Sequence, residues 1–170
     1  MEIKKVVIPV AGKGTRFLPA TKELPKEMIP IINKPMIQYV VEEAINSGVE
    51  EVIFVTSRGK EAIEDYFSRN KTLEKFLEEK QKFPELEMCK KIGEMVTYRT
   101  VIQNEQLGLG HAILCAEDLI GSENFGVILG DDLILSREPV LKQLMEVSKI
   151  NNDKSVIGVM EIDPSDTKKY

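Results

Sequence analysis

Residues 6–31 read VVIPVAGKGTRFLPATKELPKEMIPI, and this stretch decides the fold. Val6, Val7, Ile8 and Val10 have the near-continuous apolar character of a strand buried on both faces. The run leads into Ala11-Gly12-Lys13-Gly14-Thr15-Arg16, a small, flexible and basic turn, and Lys22 and Lys26 follow among Pro19, Pro25, Pro30 and Pro35. A packed core has no need of that combination, whereas a multiply charged anion does. Gly12 and Gly14 let the backbone approach a ligand closely and present successive N–H groups. Arg16 offers a planar fork suited to bidentate phosphate contact, and Lys26 a compact charge. The prolines stiffen the segment and lower the entropy lost in placing those cations. Lys13 and Lys22 read as a solvated basic face.

Two known phosphate motifs do not fit this turn. A Walker A loop needs four residues between its first glycine and Gly-Lys-Ser/Thr. A dinucleotide fingerprint needs a third glycine where Phe17 stands and a helix opening at once.

Working outward, apolar runs predict strands over Lys5–Val10, Glu51–Thr56, Val96–Gln103, Phe125–Gly130 and Ser155–Ile162. Helical patterns separate them. Ile37, Val40, Val41, Ala44 and Ile45 share one face, with Pro35 before the helix and Gly48 after it. KEAIEDYF, HAILCAEDLI and EPVLKQLMEVSK repeat the pattern, the last with Leu141, Leu144, Met145 and Ser148 on one side. Strands alternating with helices predict an α/β domain, Rossmann-like, with a mainly parallel sheet and helices on both faces. The loops after Val10 and Gly130 then open on one sheet edge, where ligands of such folds bind. Residues 68–95 form a charged insertion with one helix around Leu73, Phe76 and Leu77, read as a surface excursion. The run Met28, Ile29, Ile31, Ile32 and Met36 reads as core.

The 170 residues are 42% hydrophobic and 30% charged, enough for one domain with a substantial core. A formal net charge of −5 gives no general field for nucleic acid, so attraction for phosphate must be local. Cys89 and Cys115 lack metal spacing and read as buried thiols in a reduced cytoplasmic compartment. No apolar run approaches the roughly 18 residues of a membrane span, and the start MEIKKVVIPVAG has no signal-peptide core. The expectation is a cytoplasmic protein without membrane or nucleic-acid partners.

The whole stretch AGKGTRFLPATKELPKEMIPIINKPMIQYVVEEAINSG resembles the amino-terminal signature of sugar-1-phosphate nucleotidylyltransferases, which runs G-x-G-T-R-x-x-P-x-T, then P-K-x-x-x-P, then K-P-[ML]-I. EVIFVT, QNEQLGLGHAI and VILGDDLI continue the match in register. Pro25-Lys26-Glu27-Met28, the long insertion and Gly-Leu-Gly-His-Ala are most similar to the bacterial members that use UTP and glucose 1-phosphate. The resemblance implies a nucleotidyltransferase fold and a Mg2+-dependent reaction. UTP and glucose 1-phosphate give UDP-glucose and pyrophosphate by in-line attack on the α-phosphorus. Positioning and charge neutralisation dominate such chemistry, which suits a chain with no nucleophile constellation.

By position, the resemblance implies that Ala11, Gly12, Gly14 and Thr15 cradle the nucleotide. Arg16 and Lys26 carry the catalytic charge, and Gln103 and Gly108 recognise the uracil edge. Glu27 is a candidate for the nucleotide pocket, and Asp131 holds the metal while Asp132 points elsewhere. His111 is expected to be structural at the start of its helix. Family members continue past the position of Tyr170, and their later portion supplies a Glu–Lys pair, a second metal aspartate and much of a homo-oligomer contact. The expectation for residues 1–170 is therefore a nucleotide-binding domain truncated on its C-terminal side. A thymidylyltransferase on the same sugar phosphate and a non-catalytic nucleotide-binding module remain open alternatives.

Overall fold

The structure, a computed structural model, describes residues 3–165. Strand β1 is Lys5–Pro9; the basic loop after it contains single 3-10 turns at Thr15–Phe17 and Lys26–Met28. A small hairpin, β2 (Pro30–Ile31) and β3 (Lys34–Pro35), leads into α1 (Met36–Asn46), β4 (Glu51–Thr56) and α2 (Ala62–Tyr66). Helices α3 (Lys71–Glu79) and α4 (Phe83–Gly93) precede β5 (Thr97–Ile102). Then come α5 (Leu109–Leu114), α6 (Glu117–Ile120), β6 (Phe125–Val127) and α7 (Val140–Ile150).

The main sheet is parallel throughout, in the order β5-β4-β1-β6, with Val7 opposite both Ile53 and Val127. Alternate residues of β1 serve opposite layers because strand side chains alternate. Val6 and Ile8 pack with Ile37, Val40, Val41 and Ala44 of α1, Ile63 of α2 and Leu141 of α7. Val7 packs the other way, with Ile53, Val55, Ala112, Ala116 and Ile120. Each such fully buried aliphatic side chain contributes roughly 1.5–3 kcal/mol. The chain runs from β1 to β4 and β5 on one side, then returns to place β6 on the other. The order reverses between β1 and β6, and the crevice beyond their carboxyl ends is where open α/β sheets bind ligands.

The predicted α/β architecture and its first three strands agree with this topology, and several details differ. Ser155–Ile162 forms no strand: Ile157, Val159 and Met160 are exposed and pair with no strand among the described residues, and β-propensity without a neighbouring ladder does not make a strand. Residues 125–130 pair only through Val127, with one further bond from Ile128 N to Val7 O at 3.1 Å, before the chain lifts away. HAILCAEDLI divides into α5 and α6.

The charged segment contains two helices rather than one. Asn70 caps α3 by accepting from Leu73 N at 3.0 Å, Leu77 and Leu86 are buried, and Arg69 grips both Glu74 and Glu94 at the base of the pair. The signals for α4 were present in Pro84 in its first turn and Lys90 and Lys91 in its last. Ile32 is not core. It stands 94% exposed with φ 62 at the tip of the β2–β3 hairpin, where a two-residue turn demands positive φ. Cys89 and Cys115 are free and only partly buried. Among the described residues, no helix is long and apolar enough to cross a membrane.

Candidate functional site

The loop after β1 crosses the carboxyl edge of the sheet. Ala11 is still buried, while Gly12, Lys13, Thr15 and Arg16 are exposed. Gly14 is required by the backbone and by space. Its φ is 63, and a Cβ there would lie 3.2 Å from Lys26 Cβ and 3.3 Å from Thr21 Cβ. The Thr21 hydroxyl fastens this bend by donating to Gly14 O at 2.7 Å. Among the described residues, the exposed guanidinium of Arg16 makes no ion pair or hydrogen bond.

Lys26 lies directly beneath Gly12, where a glycine Cβ would be 3.9 Å from its Nζ. Its ammonium meets the Asp131 carboxylate at 2.5 Å across 105 positions of sequence. The two predicted charges therefore meet at the β1–β6 reversal point. Gly130 permits this approach, because a Cβ there would come within 2.9 Å of Val10 Cγ1. Asp132 is exposed, and its N–H donates to Leu129 O at 3.3 Å.

Glu27 lies beneath the loop, 1% exposed, rather than on its open surface. It pairs with Lys60 Nζ at 2.9 Å, and its other oxygen, Oε1, is buried without a partner among the described residues. Burial pushes the Glu27 carboxyl above its ordinary range and the Lys60 ammonium below its own, each opposed by the charge of the other. Sequence reading missed Lys60. It follows β4 in the plain basic turn Ser-Arg-Gly-Lys, which carries no sign of a buried contact.

A second feature adjoins the first. A cleft of about 980 Å³ opens between Lys13–Pro25, the loop Ser57–Lys60 and residues Ile102–Gln106. Gln103 is buried in its wall, held to the sheet by its own N–H donating to Thr56 O at 2.8 Å. Its side-chain amide nitrogen donates to Gly108 O at 3.2 Å and contacts His111 Nδ1 at 3.0 Å. His111 thus orients Gln103 from the third position of α5. The Gln106 amide donates to Ala11 O at 3.0 Å and ties the loop after β5 to the glycine loop. Arg16, Lys26 and Asp131 do not line the cleft, so the sequence-predicted residues fall into two adjoining groups joined by the loop Ala11–Thr15.

The sequence profile of the nucleotidyl transferase family matches residues 5–170. A curated relative, the UTP–glucose-1-phosphate uridylyltransferase YngB of Bacillus subtilis strain 168, is 50% identical over 99% of this chain and 57% of its own length. Among solved structures, a UTP-bound UDP-glucose pyrophosphorylase of Acinetobacter baumannii is 44% identical with a TM-score of 0.85, over 89% of this chain and 54% of the other. A UDP-glucose pyrophosphorylase complexed with UDP-glucose is 46% identical with a TM-score of 0.76, over 89% and 55%. The chain spans rather more than half the length of the proteins it matches. With the fold, the glycine loop and the profile in agreement, the chain belongs to the nucleotidyl transferase family.

Proposed function

We propose that the chain is the nucleotide-binding part of a UTP–glucose-1-phosphate uridylyltransferase. The observation that carries the reading is the Lys26–Asp131 pair beneath Gly12, at the sheet's reversal point and beside the Gln103 cleft. The names of relatives near 50% identity support the same reaction. In it, an oxygen of the sugar phosphate attacks the α-phosphorus of UTP in line. The new P–O bond forms as the bond from the α-phosphorus to the bridging oxygen breaks, and pyrophosphate leaves.

On this reading the amides of Ala11–Thr15 hold the nucleotide phosphates, and Arg16 takes charge building on the leaving pyrophosphate. Lys26 neutralises the reacting phosphates. Gln103 presents its carbonyl oxygen to N3–H of uracil, because its amide nitrogen is already committed to Gly108 and His111. Glu27 supports Lys26 from below. Asp131 is the residue that would hold Mg2+. Among the described residues no cluster of three ligating side chains forms a cage, but at nucleotide sites this ion is held by one or two carboxylates together with phosphate oxygens, so one exposed aspartate fits. When bound, the ion neutralises phosphate charge. Unbridged Cys89 and Cys115 suit a cytoplasmic setting.

The test is calorimetric titration with UTP, CTP, ATP and GTP in the presence of Mg2+. UTP binds tightest, and Gln103→Ala erodes that preference, because a site built to hydrogen-bond is left unpaired by the wrong partner. Equal affinities for all four nucleotides in the parent chain overturn the reading. Catalysis is read separately, as pyrophosphate release from UTP and glucose 1-phosphate.

A further inference from the structure

Lys60 is the most deeply placed cation near the site, and nothing in the reaction above uses it. Its ammonium donates to Val10 O at 2.5 Å and to Glu27 Oε2 at 2.9 Å, and the residue is 8% exposed. Val10 O is the last carbonyl before the glycine loop. The Val10 N–H is already taken up by Val55 O at 2.8 Å, so Lys60 continues the β1–β4 attachment with a side chain where the strand pairing ends. Glu27 adjoins Lys26 in the same 3-10 turn. Gly130, which leads into Asp131, packs on the same point, since a Cβ there would meet Val10 Cγ1 at 2.9 Å and Glu27 Cγ at 3.4 Å. Three segments that carry Arg16, Lys26 and Asp131 therefore converge where one lysine holds two of them together.

We infer that Lys60 is a positioning residue: it sets the phosphate-side geometry by joining the root of the glycine loop to the Lys26–Glu27 turn. A compact ammonium on a long apolar stem suits the task. It reaches from the loop after β4, turned at Gly59 with φ 84, and places several donors on one point. The base-side group has anchors of its own, beside the single tie from the Gln106 amide to Ala11 O. Gln103 is fastened to Thr56 O, Gly108 O and His111, none of which Lys60 contacts. Loss of Lys60 displaces the phosphate-side half more than the Gln103 wall, which keeps its own hydrogen bonds although Lys60 lines the same cleft.

This rests on the nucleotide reading above, and the experiment separates the two. UTP and uridine 5′-monophosphate are titrated with Mg2+ into the parent chain, Lys60→Met and Lys60→Gln. The monophosphate keeps the base and the α-phosphate but lacks the two outer phosphates assigned to Arg16 and the loop. In the parent, UTP binds more tightly than the monophosphate. In Lys60→Met the ratio of the two affinities falls by about tenfold, the scale of one charge-assisted contact, while monophosphate binding changes little. Lys60→Gln retains a donor, keeps the test alive if Lys60→Met does not fold, and shows a smaller fall in the same direction. A merely structural lysine lowers both affinities by one factor, because it changes only the folded fraction. An unchanged ratio in the variants overturns the positioning role and leaves the nucleotide reading standing. A parent with no preference for UTP over the monophosphate overturns that reading, and this proposal with it.

Discussion

Two acidic residues of this chain, Glu27 and Glu74, each answer a nearby cation, and they do so in opposite ways. At the sheet edge Glu27 is buried against Lys60, and desolvation outweighs the attraction, so its carboxyl is pushed up. At the base of the α3–α4 pair Glu74 is gripped by Arg69, and hydrogen bonds to the planar guanidinium outweigh desolvation, so its carboxyl is held down. An ion pair is thus not one kind of interaction. The outer pair fastens a helix pair because the planar guanidinium's hydrogen bonds more than offset the desolvation of buried Glu74, while Arg69 and Glu94 stay in reach of water. The inner pair costs hydration to hold the loop root against the Lys26 turn. Positions near a functional edge tolerate such a cost because an apolar pair cannot anchor a carbonyl oxygen.

The largest contrast is expected in stability. Lys60→Met leaves Glu27 buried with neither oxygen paired to a cation, which costs about 3–5 kcal/mol by analogy with other broken buried pairs. Arg69→Met removes a network that reaches solvent through Arg69 and Glu94, although Glu74 itself is only 8% exposed, and costs less, by an amount that salt screens further. Urea unfolding at low and high ionic strength measures both. A loss for Arg69→Met as large as that for Lys60→Met would abolish the distinction.

Next in size is Gly14→Ala. The positive φ and the contacts with Lys26 and Thr21 together cost about 1–2 kcal/mol, and UTP affinity falls with stability because the bend presents the amides proposed to hold phosphate. Gly48→Ala, with a φ of 90 and open space around it, bears only the backbone cost and leaves UTP affinity at the parent value. If both glycines lose UTP affinity equally, the loop's close packing is not what shapes the site.

Asp131→Asn keeps the shape while removing the charge opposite Lys26. Nucleotide binding becomes nearly independent of Mg2+, whereas Asp132→Asn, on an exposed neighbour, leaves the dependence intact. Titrations with and without Mg2+ decide it, and identical behaviour of the two variants removes Asp131 from the role.

The smallest effect is in pH dependence, and its sign is the sharpest test of the comparison. Glu27, raised above an ordinary value of 4.5, binds more protons folded than unfolded. Its contribution to stability is complete below that value and is lost as pH rises through the folded pKa. Glu74, lowered from the same value, contributes stability above it that is lost as pH falls through the folded pKa. Urea midpoints across the acid range, for the parent minus Glu27→Gln and the parent minus Glu74→Gln, therefore slope in opposite directions. Slopes of one sign contradict the opposite shifts assigned to Glu27 and Glu74.

Much of the candidate site was legible in order but not in arrangement. The glycine loop, Arg16, Lys26, Gln103 and Asp131 stand in the sequence at the ends of apolar runs, and the runs β1, β4 and β5 fall where their valines and isoleucines do. The reading failed where local pattern and tertiary company part. Ser155–Ile162 has strand composition and no partner strand; Ile32 continues an apolar run into a hairpin tip. Gln106, which carries no local signal, holds Ala11 O with its amide, and His111, expected to be structural, holds Gln103 with its ring.

The sequence by itself determined the α/β class, the strand that feeds the basic loop and the residue types proposed to meet phosphate. Those properties are written in short-range periodicity, in glycine and proline, and in motif order, all of which act over a few residues. Only the tertiary structure decided that Lys26 meets Asp131, that Glu27 turns inward, and that Lys60 joins Val10 to the Lys26 turn. These partners lie 105, 33 and 50 positions apart, and a charged side chain carries no local mark of which opposite charge the fold will bring to it. Burial made that choice: when the sheet closed over its two apolar layers, the few polar groups left at its edge had to satisfy one another.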